Sequence, residues 1–328
     1  RIPRREPEPV ISDRVWPTGT AERARRRSPV ASRSTMADAS DPTELTVVVT
    51  THNRADLIDD TLAALAAQRW NGDWDVLLLD NGSTDHTPEI LERWVEKMPV
   101  PARIVTAGER HNPSYARNAA VDSTTATSVA FVDDDDLIAD GWVAAIGTAL
   151  RTHELVGSRH EYHRLNHPSF ARERCGQTAT LNRFYDLPVV SGGGMGCRRA
   201  LWLTVGGSNE AFRTGQDIDF ALRVARIGTV TPHLCLDAEY SVRLRDGARA
   251  AFEQGERMGR ALVRLRAVHT PALETTPGAT RRWLRRWVAL VLRMKKLRSE
   301  TQRRRWAGDV GHELGRLRGM VAHRTWCP

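Results

Sequence analysis

Cysteine is scarce in this chain: Cys175, Cys197, Cys235 and Cys327 are spread through 328 residues, and no two form a C-x-x-C pair. That spacing argues against a zinc ribbon or a dithiol redox centre and fits reduced thiols in a cytosolic setting. Long apolar runs are also missing. The best stretch, Trp287 to Leu292, falls far short of the ~20 residues that cross a bilayer. No internal repeat is evident. Residues 1 to 35 are rich in Arg, Pro and Ser and have neither apolar periodicity nor a signal-peptide apolar core. They are expected to be disordered, with Met36, just ahead of the first strand, the expected start of translation.

Charge is present in quantity but unevenly placed. The 48 basic and 40 acidic residues give a net +8. Residues 1–42 hold 9 basic and 6 acidic, residues 43–242 hold 18 and 27, and residues 243–328 hold 21 and 7. These shifts divide the chain into a basic tail (1–42), an acidic central domain (43–242) and a basic helical extension (243–328). An acidic centre does not offer the basic face that a phosphate backbone requires, so no nucleic-acid partner is expected. The basic ends keep one rival open, a nucleic-acid-binding protein that uses them as arms.

From Leu45 strands and helices alternate. Leu45 to Thr50, Asp75 to Leu79, Ile104 to Thr106 and Ser128 to Val132 are short apolar runs. Between them lie helical patterns at Ala55 to Gln68, through Trp94, and around Tyr115 to Val121. This is the pattern of an α/β fold with a mostly parallel sheet flanked by helices. Ligands bind such sheets beyond the carboxyl ends of the strands. Those loops are Thr50-Thr51-His52-Asn53, Asp80-Asn81-Gly82-Ser83 and Asp133-Asp134-Asp135-Asp136. Residues 157 to 187 read as irregular and include His160, His163 and His167. Helices follow near Arg199 to Val205 and Asp217 to Ile227.

Four adjacent aspartates at a strand mouth repel one another unless a cation sits among them. Hard oxygen ligands select Mg²⁺ or Mn²⁺, ions that keep waters and bridge to phosphates. The alternative is a solvated acidic turn capping the helix after Asp140 and Gly141. Asp217 and Asp219 open a predicted helix, whose dipole favours negative charge there. Asp217 could be only that, or a general base.

The runs Val47-Val48-Val49-Thr50-Thr51-His52-Asn53-Arg54, Leu79-Asp80-Asn81-Gly82-Ser83-Thr84-Asp85, Ala116-Arg117-Asn118, Phe131-Val132-Asp133-Asp134-Asp135-Asp136 and Gln216-Asp217-Ile218-Asp219 together resemble family 2 glycosyltransferases of GT-A fold. Their order and spacing over about residues 45 to 228 carry the resemblance; each alone is weak. The resemblance implies a metal-dependent, inverting transfer from a nucleotide-sugar donor. It assigns Thr50, His52, Asn53, Asp80, Asn81, Arg117, Asp133 and Asp134 to the nucleotide sugar, Asp135 with Asp133 to Mn²⁺ or Mg²⁺, and Asp217 to catalysis. Asp136 is the aspartate least expected at the metal. A UDP- or dTDP-sugar ranks ahead of a GDP-sugar, with a sugar, lipid-linked or small-molecule hydroxyl as acceptor.

Two positions depart from the family pattern. Asn81 stands where relatives often carry aspartate; its amide oxygen could accept from the base and its NH₂ could donate. Gln216 replaces a glutamate that would raise the pKa of Asp217. The glycine run Ser191 to Gly196 lacks the Lys-Ser/Thr ending of a phosphate loop and reads as a tight wall on the acceptor side. The glycine-rich, arginine-bearing loop of a sugar nucleotidyltransferase, the nearer rival, is absent after Val49. In the extension, Trp283, Trp287, Val291, Met294 and Leu297 recur at helical spacing among arginines from 281 to 306. That pattern suits either an interfacial helix on an anionic membrane surface or a helix packed on the catalytic domain. The expected location is cytoplasmic, at the inner face of the plasma membrane if the helix is interfacial.

Overall fold

The computed structural model describes residues 43–171, 179–184, 187–269 and 278–327. The tail 1–42, with Met36, and Cys175 lie outside the described residues. The strands are β1 (Leu45–Thr51), β2 (Trp74–Asp80), β3 (Ala102–Thr106), β4 (Ser128–Asp133), β5 (Leu137–Ile138), β6 (Leu155–Glu161), β7 (Asn182–Phe184), β8 (Leu187–Val189), β9 (Met195–Arg198) and β10 (His233–Ser241). The helices are α1 (Ile58–Ala66), α2 (Thr87–Val95), α3 (Pro113–Asp122), α4 (Trp142–Leu150), α5 (Pro168–Ala171), α6 (Arg199–Val205), α7 (Gln216–Ile227), α8 (Gly247–His269), α9 (Ala279–Arg293) and α10 (Glu300–His323).

Eight strands form one sheet in the order β3-β2-β1-β4-β9-β6-β10-β5, and β7 pairs with β8 in a separate hairpin. β3, β2, β1 and β4 are mutually parallel, as are β6 and β10. The alternation of side chains along a strand explains why the central runs are apolar throughout. Val47, Val49, Val76, Leu78, Ala130 and Val132 face α1, α2 and α4. Val48, Leu77, Leu79, Val129 and Phe131 face α3, α6 and α7. Each such buried side chain stabilises the fold by roughly 1.5–3 kcal/mol.

Two parts differ from the sequence reading. The segment from 157, expected to be irregular, begins inside β6, whose half-apolar run Leu155–Glu161 is stabilised by β9 on one side and β10 on the other. β9 arises within the glycine run and lies antiparallel to both β4 and β6, so the sheet is mixed at its centre. The single periodic stretch 281–306 is broken. α9 ends at Arg293, a 3₁₀ turn covers Met294–Lys296, and α10 starts anew. The cause is a capping box: Ser299 Oγ accepts from Gln302 N at 3.2 Å while Gln302 Oε1 accepts from Ser299 N at 3.1 Å.

α8 and α10 run in parallel and meet at backbone distance. A Cβ on Gly255 or Gly259 would collide with the carbonyls of Gly308 and His312, and one on Gly311 or Gly315 with those of Phe252 and Glu256. The glycines are spaced four apart in Gly255-x-x-x-Gly259 and Gly311-x-x-x-Gly315. This spacing lines one helix face with hydrogens so that two backbones can touch. Substituting Gly315→Ala should therefore lower stability by about 1–3 kcal/mol, although alanine is the better helix former by about 1 kcal/mol. An unchanged or raised melting temperature would contradict this packing.

α8 is tied to α7 by buried charge. Asp219 receives Arg223 Nε at 2.8 Å and His269 Nε2 at 2.9 Å, and His269 Nδ1 lies 2.7 Å from Arg226 Nη2. Arginine only donates, so Nδ1 accepts and Nε2 carries the proton given to Asp219. Burial pushes the Asp219 carboxyl up, but the His269 hydrogen bond and the Arg223 charge outweigh it and hold the pKa below the usual range. A folded-state pKa below the unfolded value of about 3.9 gives stability that is complete above that pH and lost as pH falls through the folded pKa. Asp219→Asn should remove about 1.5–3 kcal/mol at neutral pH and flatten the acid limb of a denaturation profile below pH about 4. A variant with the wild-type acid limb would rule the linkage out.

Candidate active site

Parallel register sets the site. Thr50 lies opposite Leu79 of β2 and Asp133 of β4, and Thr51 lies opposite Asp80. The three polar loops named from the sequence therefore leave the sheet at one level on its carboxyl edge. Asn53 adopts a left-handed φ of 52°, which its short polar side chain tolerates. Its Oδ1 accepts from Thr84 N at 2.8 Å, joining the first loop to the second. Asp80 is buried and accepts from Ser83 N at 2.9 Å. The ring of His52 sits 4.6 Å from that of His111.

Asn81 is fully engaged inside the protein. Its amide donates to the carbonyls of Ala107 and Arg110, at 2.8 Å for the latter, and its Oδ1 accepts from Asn112 N at 3.0 Å. It braces the loops after β2 and β3, and both amide hydrogens are already in use. The side chain that the resemblance assigns to the nucleotide is thus held by three backbone partners.

The four aspartates diverge. Asp133 Oδ1 meets Arg117 Nη2 at 2.7 Å, and its side chain keeps 37% of its surface open. Asp134 Oδ1 meets Arg54 Nε at 3.1 Å. Among the described residues the Asp135 carboxylate has only loose contacts, Arg54 Nη2 and Arg245 Nη2, each at 3.7 Å, while its carbonyl accepts from Arg243 Nε at 3.0 Å. Asp136 is buried and accepts from Arg243 N at 2.7 Å. Burial is the main force raising the carboxyl pKa values of Asp134, Asp135 and Asp136. For Asp134 it leads, with repulsion from Asp135 and Asp133 adding to it against the pull of Arg54, and the pKa is pushed up to about 6. Asp135 and Asp136 are raised by burial and then by their acidic neighbours.

Behind the run, Tyr240 of β10 is buried and its hydroxyl accepts from Asp133 N at 2.9 Å. A Cβ on Gly193 would come within 2.7 Å of Asp133 Oδ2 and 2.9 Å of the Tyr240 hydroxyl, and one on Gly192 within 2.5 Å of Arg117 Nη1. The glycine run is therefore a wall pressed against the aspartates and Arg117, as close backbone approach demands. His160 lies at the end of β6 beside Tyr240, with ring centroids 5.8 Å apart, whereas His163 and His167 are exposed.

Asp217 stands in the first turn of α7, with Oδ1 accepting from Ile218 N at 2.9 Å. Burial raises its pKa, Arg117 lowers it, and Asp133 adds a smaller rise. Arg117 thus acts on both Asp133 and Asp217, and it links the two halves of the site. Sequence reasoning gave no role to Arg54, Tyr240, Arg243 or Arg245. Arg54 closes the Thr-Thr-His-Asn-Arg run and could have been found there, whereas Arg243 and Arg245 lie beyond the boundary drawn at 242 and carry no local signal.

Among the described residues no three His, Cys, Asp or Glu side chains converge into a closed metal cage. A Mg²⁺ or Mn²⁺ site does not need one, since such ions take one or two carboxylates and complete their shell with water and phosphate. Asp135 fits that use, being crowded by negative charge and held by no close cation. Asp133 and its open surface lie next to it.

Residues 46–203 match the family model for glycosyl transferase family 2. TuaG of Bacillus subtilis, a glycosyltransferase provisionally assigned to teichuronic acid biosynthesis, is 32% identical over 92 residues, which is 28% of this chain and 36% of TuaG. The uncharacterized glycosyltransferase YibD of Escherichia coli is 30% identical over 93 residues, 28% of this chain and 26% of YibD. The matches thus span about a third or less of these relatives. Among solved structures, the mannosyltransferase PcManGT of Pyrobaculum calidifontis, in complex with GDP-Man and Mn²⁺, superposes with a TM-score of 0.62 at 18% identity over 92% of this chain and 93% of its own. TarS 1-349 of S. aureus in complex with UDP-GlcNAc gives 0.51 at 16% identity over 87% and 93%. At these identities the likeness is one of fold, the GT-A arrangement. Residues 46–203, which run from β1 into α6, are thus the stretch that this chain shares with glycosyl transferase family 2.

Proposed function

We propose that this protein transfers a sugar from a nucleoside diphosphate to an acceptor hydroxyl with inversion at the anomeric carbon, using Asp217 as general base. The observation that carries this reading is the arrangement Asp133, Arg117, Asp217, in which one buried arginine acts on an acidic loop suited to a donor and on a carboxylate suited to a base. Domain 43–242 holds the sheet and both carboxylate groups; residues 243–245 return to the aspartates before the helical extension begins.

Asp217 takes the proton of the acceptor hydroxyl. The freed oxygen lone pair forms the new bond to the anomeric carbon as the bond from that carbon to the diphosphate oxygen breaks, and that electron pair leaves with the nucleoside diphosphate. A base whose pKa is raised by burial is better matched to this work than an exposed carboxylate. Asp135, with Asp133, would hold a Mg²⁺ or Mn²⁺ ion, which supplies charge neutralisation for the leaving diphosphate. Thr50, His52 and Asp80 are placed to meet the nucleoside, while Asn53 and Asn81 act by holding the loops in place. The name of TuaG favours a glycan as acceptor. Donors of the neighbours named here, GDP-Man and UDP-GlcNAc, differ in base, so a titration panel of nucleoside diphosphates is the direct reading of the donor.

In a transfer assay, Asp217→Asn should lower turnover by a factor of about 10²–10⁴ while leaving the donor dissociation constant within about twofold, since the substitution is isosteric. Wild-type turnover would exclude Asp217 as the base. Gly193→Ala should weaken donor binding by about tenfold or more, because its methyl group displaces Asp133 or Tyr240. Unaltered binding by calorimetry would count against the wall.

A further inference from the structure

α9 carries two apolar faces, and among the described residues only one of them is covered. Trp283 and Leu290 are buried against α8, α10 and the chain end, and Trp306 Nε1 donates to Leu290 O at 2.9 Å. On the other side Leu284, Val288, Val291 and Leu292 are 54%, 60%, 61% and 63% exposed. At helical spacing these four occupy an arc of about 100°. Trp326 stands at the helix start, its ring 5.9 Å from that of Trp283. It is 58% exposed, and its indole N–H donates to Thr280 Oγ1 at 3.4 Å.

The cations of α9 sort the same way. Arg286 and Arg293 turn toward α10 and pair with Glu313 at 3.5 Å and Asp309 at 3.2 Å. Arg281 near the start of α9 and Lys295 in the 3₁₀ turn after it bracket the exposed apolar arc along the axis and Arg285 lies at its edge, all three exposed and without an acidic partner among the described residues. A soluble surface seldom keeps several large apolar side chains together in this way. An apolar stripe ringed by uncompensated cations and flanked by a tryptophan is complementary to a bilayer surface with anionic headgroups. The side chains enter the acyl boundary, the arginines and lysine meet phosphate, and the indole lies at the headgroup level.

We propose that α9 lies in the plane of an anionic lipid surface through Leu284, Val288, Val291 and Leu292. This arc shares only Val291 with the tryptophan-spaced stripe, whose Trp283 serves the interior. The start of α10 reaches the site: Arg304 Nε donates to Arg245 O at 2.9 Å, and Arg245 lies 3.7 Å from Asp135. If the transfer reading holds, a helix seated this way brings the catalytic edge near hydroxyls presented at the membrane. The lipid assignment itself does not depend on transfer.

The full chain is sedimented with vesicles of phosphatidylcholine alone and with vesicles containing phosphatidylglycerol, at low and high salt. Binding to the anionic vesicles should exceed binding to the neutral ones by about tenfold or more and weaken as salt rises. The double variant Val288→Glu, Leu292→Glu should lose that binding about tenfold or more while melting as the wild type does, because both side chains are exposed. Arg281→Glu with Arg285→Glu should reduce the preference for anionic lipid. Equal binding to neutral vesicles, or anionic binding that survives Val288→Glu, Leu292→Glu, would overturn the proposal. So would a dimer detected by light scattering that this variant dissociates, with no vesicle binding, since the face would then belong to a second copy.

Discussion

The structure depends on how Asp133 to Asp136 are kept from repelling one another at the end of a buried strand. Charges withdrawn from water need compensation, and here it is uneven: Asp133 has Arg117 from α3, Asp134 has Arg54 from the loop after β1, Asp135 has only the more distant Arg54 and Arg245 among the described residues, and Asp136 has the neutral donors Arg243 N and Tyr240. These partners come from four places in the chain. Only a fold that returns β10 to the sheet beside β6 and continues into residues 243–245 can deliver the last of them. Even so the compensation is incomplete, for Asp134 and Asp135 remain raised in pKa. Residual negative charge at a polar strand edge is the physical condition for recruiting a divalent cation along with a diphosphate.

The same crowding explains the glycines. With Asp133, Arg117 and Tyr240 all packed behind the strand edge, the chain from Ser191 to Gly196 has room only for backbone. Its continuation β9 then slips between β4 and β6 as an antiparallel strand, so one short segment both closes the sheet and walls the site. The helical extension is built on the same device at larger scale, where α8 and α10 meet through glycines. The Asp219 and His269 pair carries that rigidity to α7, whose first turn holds Asp217.

Much of this was legible in the sequence where information is local. The apolar runs of β1, β2 and β4 specify central strands, and parallel register then forces their polar termini to one edge. Asp217 was legible as the acid opening a helix. What escaped were relations set by packing. The Asn81 side chain turned inward because three backbone partners from distant loops surround it. Arg245 pairs with a residue 110 positions away, and no periodicity encodes that. The break after Arg293 was written in Ser299-x-x-Gln302, and the helix pairing in Gly255-x-x-x-Gly259 and Gly311-x-x-x-Gly315, but a strong apolar periodicity through 281–306 masked the first. Of the five apolar residues in that periodicity Trp283 is core, because tryptophan serves interiors as readily as interfaces.

The central claim is that the aspartate run, with Asp135 at its least compensated point, is a metal-assisted diphosphate site. Thermal denaturation of the full chain with a nucleoside diphosphate, with Mn²⁺, and with both, measures this directly, because a ligand that binds only the folded state raises its melting temperature. The account predicts a rise that requires both together and disappears in Asp135→Asn. A rise produced by nucleotide alone and unchanged by metal, or one retained in Asp135→Asn, would contradict it.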